Sequence, residues 1–431
     1  MTQRTLFTNA RLLDPASGLD RAGELLAEEG VIAALGPNLG RDGLGADTRT
    51  VDCAGGCLAP GLVDMRVQLR EPGNEHQETL ASGAAAAAAG GVTTMAMLPN
   101  TAPVIDDHAL VEFVARRSRD IGLANIRTYA AATKGLKGSE LTEFGLLAEA
   151  GAVAFTDGLH AIADALVMRR ALSYASTFDL LLVQHPEEPS LGSGGAMTEG
   201  EIATRLGLAG ITPAAEIIMV ERDLRLVEIT GGRYHVAHVS TAGAIDAIRR
   251  AKARGLAVTC DTAPHYFALN ETAIGEYRTF AKVSPPLRNE SDRRAVIDGL
   301  KDGTIDAIAS DHAPQDQESK RLPFASAEPG IVGLETLLPL SLELYHNGHL
   351  TLLQVLRALA QRPAEILRLP GGALKPGAAA DFAIFDLERP WRIDAAALHS
   401  KCKNAPYDGR PVQGRLTRTV LAGRTVFGAE T

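Results

Sequence analysis

Three apolar runs in this chain end on side chains that can bind a metal or carry a proton. His185 closes "LLLVQH", His238 lies in "YHVAHVST", and Asp311 opens "DHAP". Imidazole nitrogen and carboxylate oxygen suit a zinc ion, and an aspartate beside metal-bound water serves as a general base. A solitary histidine at a strand end is more often a hydrogen-bonded core residue than a ligand. Two histidines and an aspartate at the ends of separate strands shift the weight towards a site.

The elements that must position them follow from the pattern of apolar residues. "GLVDMRVQL", "GVTTMAML", "IRTYAAAT", "AVAFTD", "LLLVQH", "RYHVAHVS", "LAVTCDTAPH" and "IDAIASDHAP" read as strands. They alternate with segments such as "SGAAAAAAG", "SELTEFGLLAEAG", "AEIIMVERDLRLVEITG" and "AGAIDAIRRAKARG", whose apolar positions three and four apart give a helix one buried stripe. Eight such alternations predict an α/β fold, a (β/α)8 TIM barrel, in which chemistry gathers at the C-terminal strand ends. The short runs before Cys57 and after about residue 369 predict strands joined by polar turns, Ala422-Gly423-Arg424 among them. The expected organisation is a small composite β-sandwich domain built from segments 1–57 and 369–431, beside a barrel over 58–368. "HPEEPSLGSGGAMTEGE" is expected to be an irregular loop over the barrel mouth, with Glu187 and Glu188 close enough to His185 in sequence to join a metal site.

Composition narrows the partners. The chain has 431 residues, a formal charge of −9, 45% hydrophobic and 22% charged residues, and 4% aromatics. That balance suits a soluble globular protein and disfavours nucleic acid or an anionic membrane as the main partner. No apolar run approaches ~18 residues and no secretory leader pattern opens the chain, so the cytoplasm is the expected location. The four cysteines are expected to be reduced thiols serving as small apolar residues. No GxGxxG or GxxxxGK[ST] loop is present. The lysines of "TKGLKG", Lys134 and Lys137, are expected to be solvated.

"LAPGLVDMRVQLREPGNEHQET" resembles the dihydroorotase signature, whose usual form is PGxxDxHxHxREPG. "AMLPNTAPV", "TKGLKGSELTEFGLLAEAGAVAFTDG", "GGRYHVAHVSTAGAI", "KVSPPLRNESDR", "DGTIDAIASDHAP", "LPFASAEPGIVGLETLLPL" and "LKPGAAADFAIFDLERPW" are similar to further family segments, in the family's order over nearly the whole chain. The resemblance, to bacterial dihydroorotases of the amidohydrolase superfamily, implies a zinc-dependent cyclic amidohydrolase that interconverts N-carbamoyl-aspartate and dihydroorotate.

The same resemblance marks what is missing. The HxH pair that supplies zinc ligands is Arg66 and Gln68 here, and the usual FSDDG is "FTDGL", with Gly158 where a bridging carboxylate is expected. A guanidinium stays protonated and a neutral amide is a poor zinc donor. His185, His238 and Asp311 remain as ligands for at most one ion, with Asp311 a vestigial general base. The substrate-anchoring positions Arg70 and Asn100 are retained, and His312 is expected to line the pocket. Ser284 and Gln315 depart from the family's Asn and His. Arg66 is expected to reach Asp311 and replace the positive charge of the metal, since an isolated buried carboxylate is costly.

These departures resemble the non-catalytic members of the family, which lack the zinc ligands and serve as structural partners of aspartate carbamoyltransferase. The expectation is therefore no cofactor and an oligomer, of this chain's own copies or with that partner. The alternative is an active dihydroorotase with a single zinc. A hydantoinase-like enzyme is disfavoured, because "REPG" and "LPNT" are similar to the dihydroorotase branch and hydantoinases also need HxH.

Overall fold

The computed structural model describes residues 4–40 and 47–428; residues 1–3, 41–46 and 429–431 of the terminal segments lie outside the description. Parallel strands Leu62–Val67, Val92–Met97, Asn125–Thr128 with Ala130–Ala131, Phe155–Thr156, Leu181–Gln184, Arg233–Val236, Val258–Thr262 and Ala307–Ile308 form the barrel. The ring closes where Val67 bridges His312 in parallel and the Gln68 N–H donates to the His312 carbonyl at 2.8 Å. First and last strands are thereby joined at the end where the candidate residues lie.

Each strand is followed by a helix whose ends the sequence specifies. Thr79 caps Leu80–Ala89 through the Ser82 N–H, Asp107 caps His108–Ile121, and Thr241 caps Ala242–Ala253 through the Ala244 N–H. The alanine run packs close to its neighbours. A Cβ at Gly90, which ends that helix, would stand 2.1 Å from the Leu334 carbonyl oxygen, so only glycine fits there. Inside the barrel, Met65, Ala96, Leu98, Tyr129, Val183, Ala237 and Ala309 pack into one cluster, and Ile366 and Leu367 close it from the N-terminal side. The Tyr129 hydroxyl donates to the Met65 carbonyl at 2.6 Å, which satisfies the polar atom in that cluster.

The two ends of the chain share an eight-stranded sheet. Arg4–Asp14 pairs with Leu19–Glu28, Thr48–Asp52 and Cys57–Pro60, and Cys57–Pro60 runs antiparallel to Phe382–Arg392 in the register Leu58 to Ile384. Its core is Phe7, Leu12, Leu25, Leu58, Phe382 and Val420, with the Phe7 and Phe382 rings edge-on at 4.8 Å. Pro411–Leu421 turns back into Arg424–Phe427 through Ala422 and Gly423, as the sequence predicts. A (β/α)8 barrel with a companion β-sandwich domain is the architecture.

Two local expectations need correction. "SELTEFGLLAEAG" is helical only over Phe144–Glu149, because the Thr142 N–H is drawn to the Ala132 carbonyl and Leu141 bridges Thr133. The segment after His185 is also more ordered than an irregular loop. It contains the short helix Pro189–Gly192 and the strand Met197–Thr198, which pairs in parallel with Gly210–Ile211. The four cysteines are free and buried.

Candidate functional site

Arg66, at the end of the first barrel strand, is the largest fully buried side chain among the described residues. Its Nε donates to Asp311 Oδ1 at 2.9 Å, and Nη2 lies 3.4 Å from the Gly158 carbonyl oxygen. Nη1 has no protein partner. Asp311 is positioned by a left-handed backbone, φ 50°, at the end of the last strand. Its second oxygen lies 3.4 Å from His238 Nδ1 and 3.7 Å from His265 Nε2.

His185 and His238 face each other, Nδ1 to Nε2, at 2.8 Å. One of these nitrogens must carry the hydrogen and the other accept it, so the contact needs at least one neutral ring. Burial pushes the pKa of both rings well down, and the Arg66 charge pushes in the same direction. The His238 N–H donates to Asp261 Oδ1 at 2.7 Å, and Asp261 also accepts from His235 at 2.9 Å. Burial likewise holds the His265 pKa down at about 4. The cluster therefore sets the Arg66–Asp311 pair against the neutral imidazoles of His185, His238 and His265.

The anchoring positions are engaged by the protein itself. Asn100 Nδ2 donates to Gln68 Oε1 at 3.0 Å, so one replaced ligand position holds the other residue in place. Arg70, at φ 61°, donates through Nη2 to the Pro314 carbonyl at 3.2 Å, with Nε unpartnered. The His312 ring is buried beside the site: Nδ1 accepts from the Gly333 N–H at 3.1 Å, and Nε2 stands 3.4 Å from Glu78. Gln315 Nε2 donates to the Pro329 carbonyl at 2.9 Å.

Gly158 has φ 69°, and a Cβ there would lie 3.6 Å from the Asn100 Cβ, an ordinary contact. Space therefore remains for a side chain, but the position carries none. Asp157, its neighbour, is turned away and accepts from the Thr133 N–H at 2.8 Å and its hydroxyl at 2.5 Å. Glu188 caps the helix Pro189–Gly192, whereas Glu187 is half-buried with one oxygen unpartnered. Lys134 pairs with Glu140 on the surface.

The donor set does not fit a two-metal centre. Of the positions that the sequence resemblance assigns to such a centre, Arg66 carries a fixed positive charge, Gln68 is committed to Asn100, and Gly158 offers only a carbonyl already approached by Arg66. His185, His238 and Asp311 are brought together, but a cation between them would meet the Arg66 charge at Asp311. No group of three or more His, Cys, Asp or Glu among the described residues is arranged to hold a metal ion.

Sequence reasoning missed His265 and Asp261. Both lie at or just after the strand Val258–Thr262, so the strand-end rule that singled out His185 applied to them equally. It also missed Glu216, whose carboxylate accepts from the N–H groups of Ser240 and Thr241 at 3.0 Å each and from both hydroxyls. Arg288 lies 3.6 Å from that carboxylate and reaches the Ile211 carbonyl at 3.4 Å, tying the strand pair beyond His185 to the barrel. A glutamate in the first turn of a helix is common for its favourable interaction with the helix N-terminus and carries no sequence signal for such a role.

A barrel of this kind with its companion β-sandwich and strand-end His/Asp cluster defines the amidohydrolase superfamily. Solved structures show the same fold: L-hydantoinase from Arthrobacter aurescens superposes with a TM-score of 0.87, covering 99% of this chain and 96% of that one at 24% identity. Dihydropyrimidinase from Brevibacillus agri gives 0.85 at 21% identity, covering 99% and 95%. The family description "Dihydro-orotase-like" matches residues 55–244, and "Amidohydrolase family" matches residues 229–427. Dihydroorotase from Anaplasma phagocytophilum is 48% identical over 98% of this chain and 95% of its own length. Dihydroorotase from Syntrophus aciditrophicus is 45% identical over 98% and 99%. The chain belongs to the dihydroorotase family.

Proposed function

We propose that this chain is a non-catalytic member of the dihydroorotase family that acts in pyrimidine biosynthesis as a structural partner of aspartate carbamoyltransferase. The observation that carries the non-catalytic part is the buried Arg66–Asp311 pair, which puts a permanent side-chain cation where the family's chemistry needs an exchangeable metal. The retained fold supports the structural part. Core, caps and closing bridge are intact, whereas the positions changed are those at which a ligand would bind. The partner is the one that the resemblance of the sequence to non-catalytic family members implies. Such an assembly belongs in the cytoplasm, and among the described residues no helix is long and apolar enough to cross a membrane.

A second reading is a single-zinc dihydroorotase, favoured by the contact of His185, His238 and Asp311. Zinc content by mass spectrometry, with a dihydroorotate hydrolysis assay, separates the two. The non-catalytic reading expects less than about a tenth of a zinc per chain and no turnover, because zinc sites normally need at least three good protein ligands. Near-stoichiometric zinc with turnover lost in His185→Ala would overturn it. Co-purification with aspartate carbamoyltransferase tests the partner, and two components migrating independently at micromolar concentration would reject that partner.

A further inference from the structure

A cavity of about 350 Å3 lies at the opposite end of the barrel from the His/Asp cluster. Thr94 and Asn125, near the starts of their strands, line it, with Ser118 and Arg119 from the end of helix His108–Ile121. Across it stand Leu369 and Pro370, which follow the helix that closes the barrel, and Leu421 and Arg424 of the terminal hairpin. The cavity thus joins barrel to sheet and is independent of the candidate site.

Its charge is one-sided. Arg119, Arg127 and Arg424 all line it, and within the described residues none of the three guanidinium groups has a hydrogen bond or ion pair. The acidic side chain of the lining, Asp381, is held in the cavity wall and pairs with none of the three: it accepts from the Ala422 N–H at 2.6 Å and from Asn125 at 3.2 Å. By contrast, the cavity lined by Lys301, Arg357 and Arg362 also contains Asp302 and Asp306, and Arg362 pairs with Asp306 at 2.7 Å. In a chain of net charge −9, three exposed guanidinium groups without side-chain partners around one concavity make it locally positive and favour an anion. Arg424 Nη2 lies 3.9 Å from the position a Cβ on Gly122 would take, at the C-terminal turn of the helix.

We propose that this cavity binds a phosphoryl group on Arg119, Arg127 and Arg424, with the organic part of a phosphate ester against Leu369, Pro370 and Leu421. The fork of a guanidinium matches phosphate oxygens in pairs, which a chloride ion cannot exploit. The volume falls in the range of small-ligand sites. No Gly-rich loop is involved, which is why phosphate-loop motifs are absent from the sequence. Occupancy bridges segments as far apart as Thr94 and Arg424 and would stabilise the junction of barrel and sheet.

Isothermal titration of the full chain with inorganic phosphate and with adenosine monophosphate, at ionic strength held constant with sodium chloride, tests this. Saturable binding of one phosphoryl group per chain is expected, weakened on the order of tenfold or more in Arg127→Gln and in Arg424→Gln. Tighter binding of the ester assigns the site to an organic phosphate, and equal affinities assign it to free phosphate. A readout without substitution is arginine modification by phenylglyoxal, in which phosphate, but not chloride, is expected to protect Arg119, Arg127 and Arg424. No saturable binding, binding unchanged in both variants, or modification equally fast with phosphate and chloride would overturn the proposal.

Discussion

Arg66 and Asp311, 245 residues apart in sequence, meet through a 2.9 Å hydrogen bond at the mouth of the barrel, with the two side chains 2% and 10% exposed. A buried pair of this kind need not add net stability, yet removing one partner leaves the other as an uncompensated charge. Arg66→Met is therefore expected to destabilise the fold by about 3–5 kcal/mol. Arg66→Met/Asp311→Leu should recover most of that loss. Urea unfolding midpoints of the single and double variants measure the coupling, and additive losses would show that the two charges do not depend on each other.

Restoring metal donors should change the chemistry of the site. In Arg66→His/Gln68→His/Gly158→Asp the fixed cation is gone and His185 and His238 remain. Residue 158 sits at φ 69°, a region that aspartate tolerates better than most residues, and a Cβ there meets nothing closer than 3.6 Å. The triple variant is expected to retain about one zinc or more per chain after dialysis. The unsubstituted chain should show no change of Tm on adding a chelator. A chelator-sensitive Tm in the unsubstituted chain would contradict the assignment of Arg66.

Acid sensitivity follows from the buried imidazoles. His265 is held at about 4 against about 6.5 when unfolded, and His185 and His238 are also pushed well down. Between these values the unfolded chain binds more protons, so this stability is present above pH ~6.5 and lost as pH falls towards 4. His265 alone accounts for on the order of 3 kcal/mol over that window. Burial raises Asp64 and Asp223 to about 6, so they act in the opposite sense below that pH. The descent should therefore be steepest just below neutrality. His265→Phe is expected to flatten the dependence of unfolding free energy on pH by about one proton there, and an unchanged slope would count against it.

Glu216 is expected to be the most sensitive carboxylate away from the barrel mouth. Its oxygens take the Ser240 and Thr241 N–H groups and both hydroxyls, with Arg288 alongside. Glu216→Ala leaves those donors buried and unpaired and should cost about 3 kcal/mol or more. Glu216→Gln keeps one accepting oxygen and should cost less. Equal Tm values for the two variants would mean that the donors find other partners.

The barrel is legible in the chain's own pattern because its information is local. Apolar runs such as "LLLVQH" and "RYHVAHVS" and the capping residues Thr79, Asp107 and Thr241 act over a few residues. Two expectations failed where longer-range contacts intervened, at the shortened helix Phe144–Glu149 and at the ordered segment around Pro189–Gly192. At the site, the resemblance to the family motifs marked Arg66, Gln68 and Gly158 as the altered ligand positions, and residue chemistry said why they are poor donors, since the pKa of guanidinium and the weak donation of a neutral amide do not depend on fold.

By itself, the sequence determined the repeating strand–helix architecture and the strand-end histidines and aspartate, and its resemblance to the family pointed to Arg66, Gln68 and Gly158 as positions where metal donors are expected. Only the tertiary structure decided that Arg66 reaches Asp311, that Gln68 holds Asn100, that His312 turns to Glu78, and that His265 joins the cluster. The physical reason is that these contacts join residues from opposite sides of a closed ring of strands. Their separation is set by barrel closure and strand stagger, which no short stretch of chain encodes. The same closure gathers Arg119, Arg127 and Arg424 at its other end, from segments whose sequences give no sign of one another.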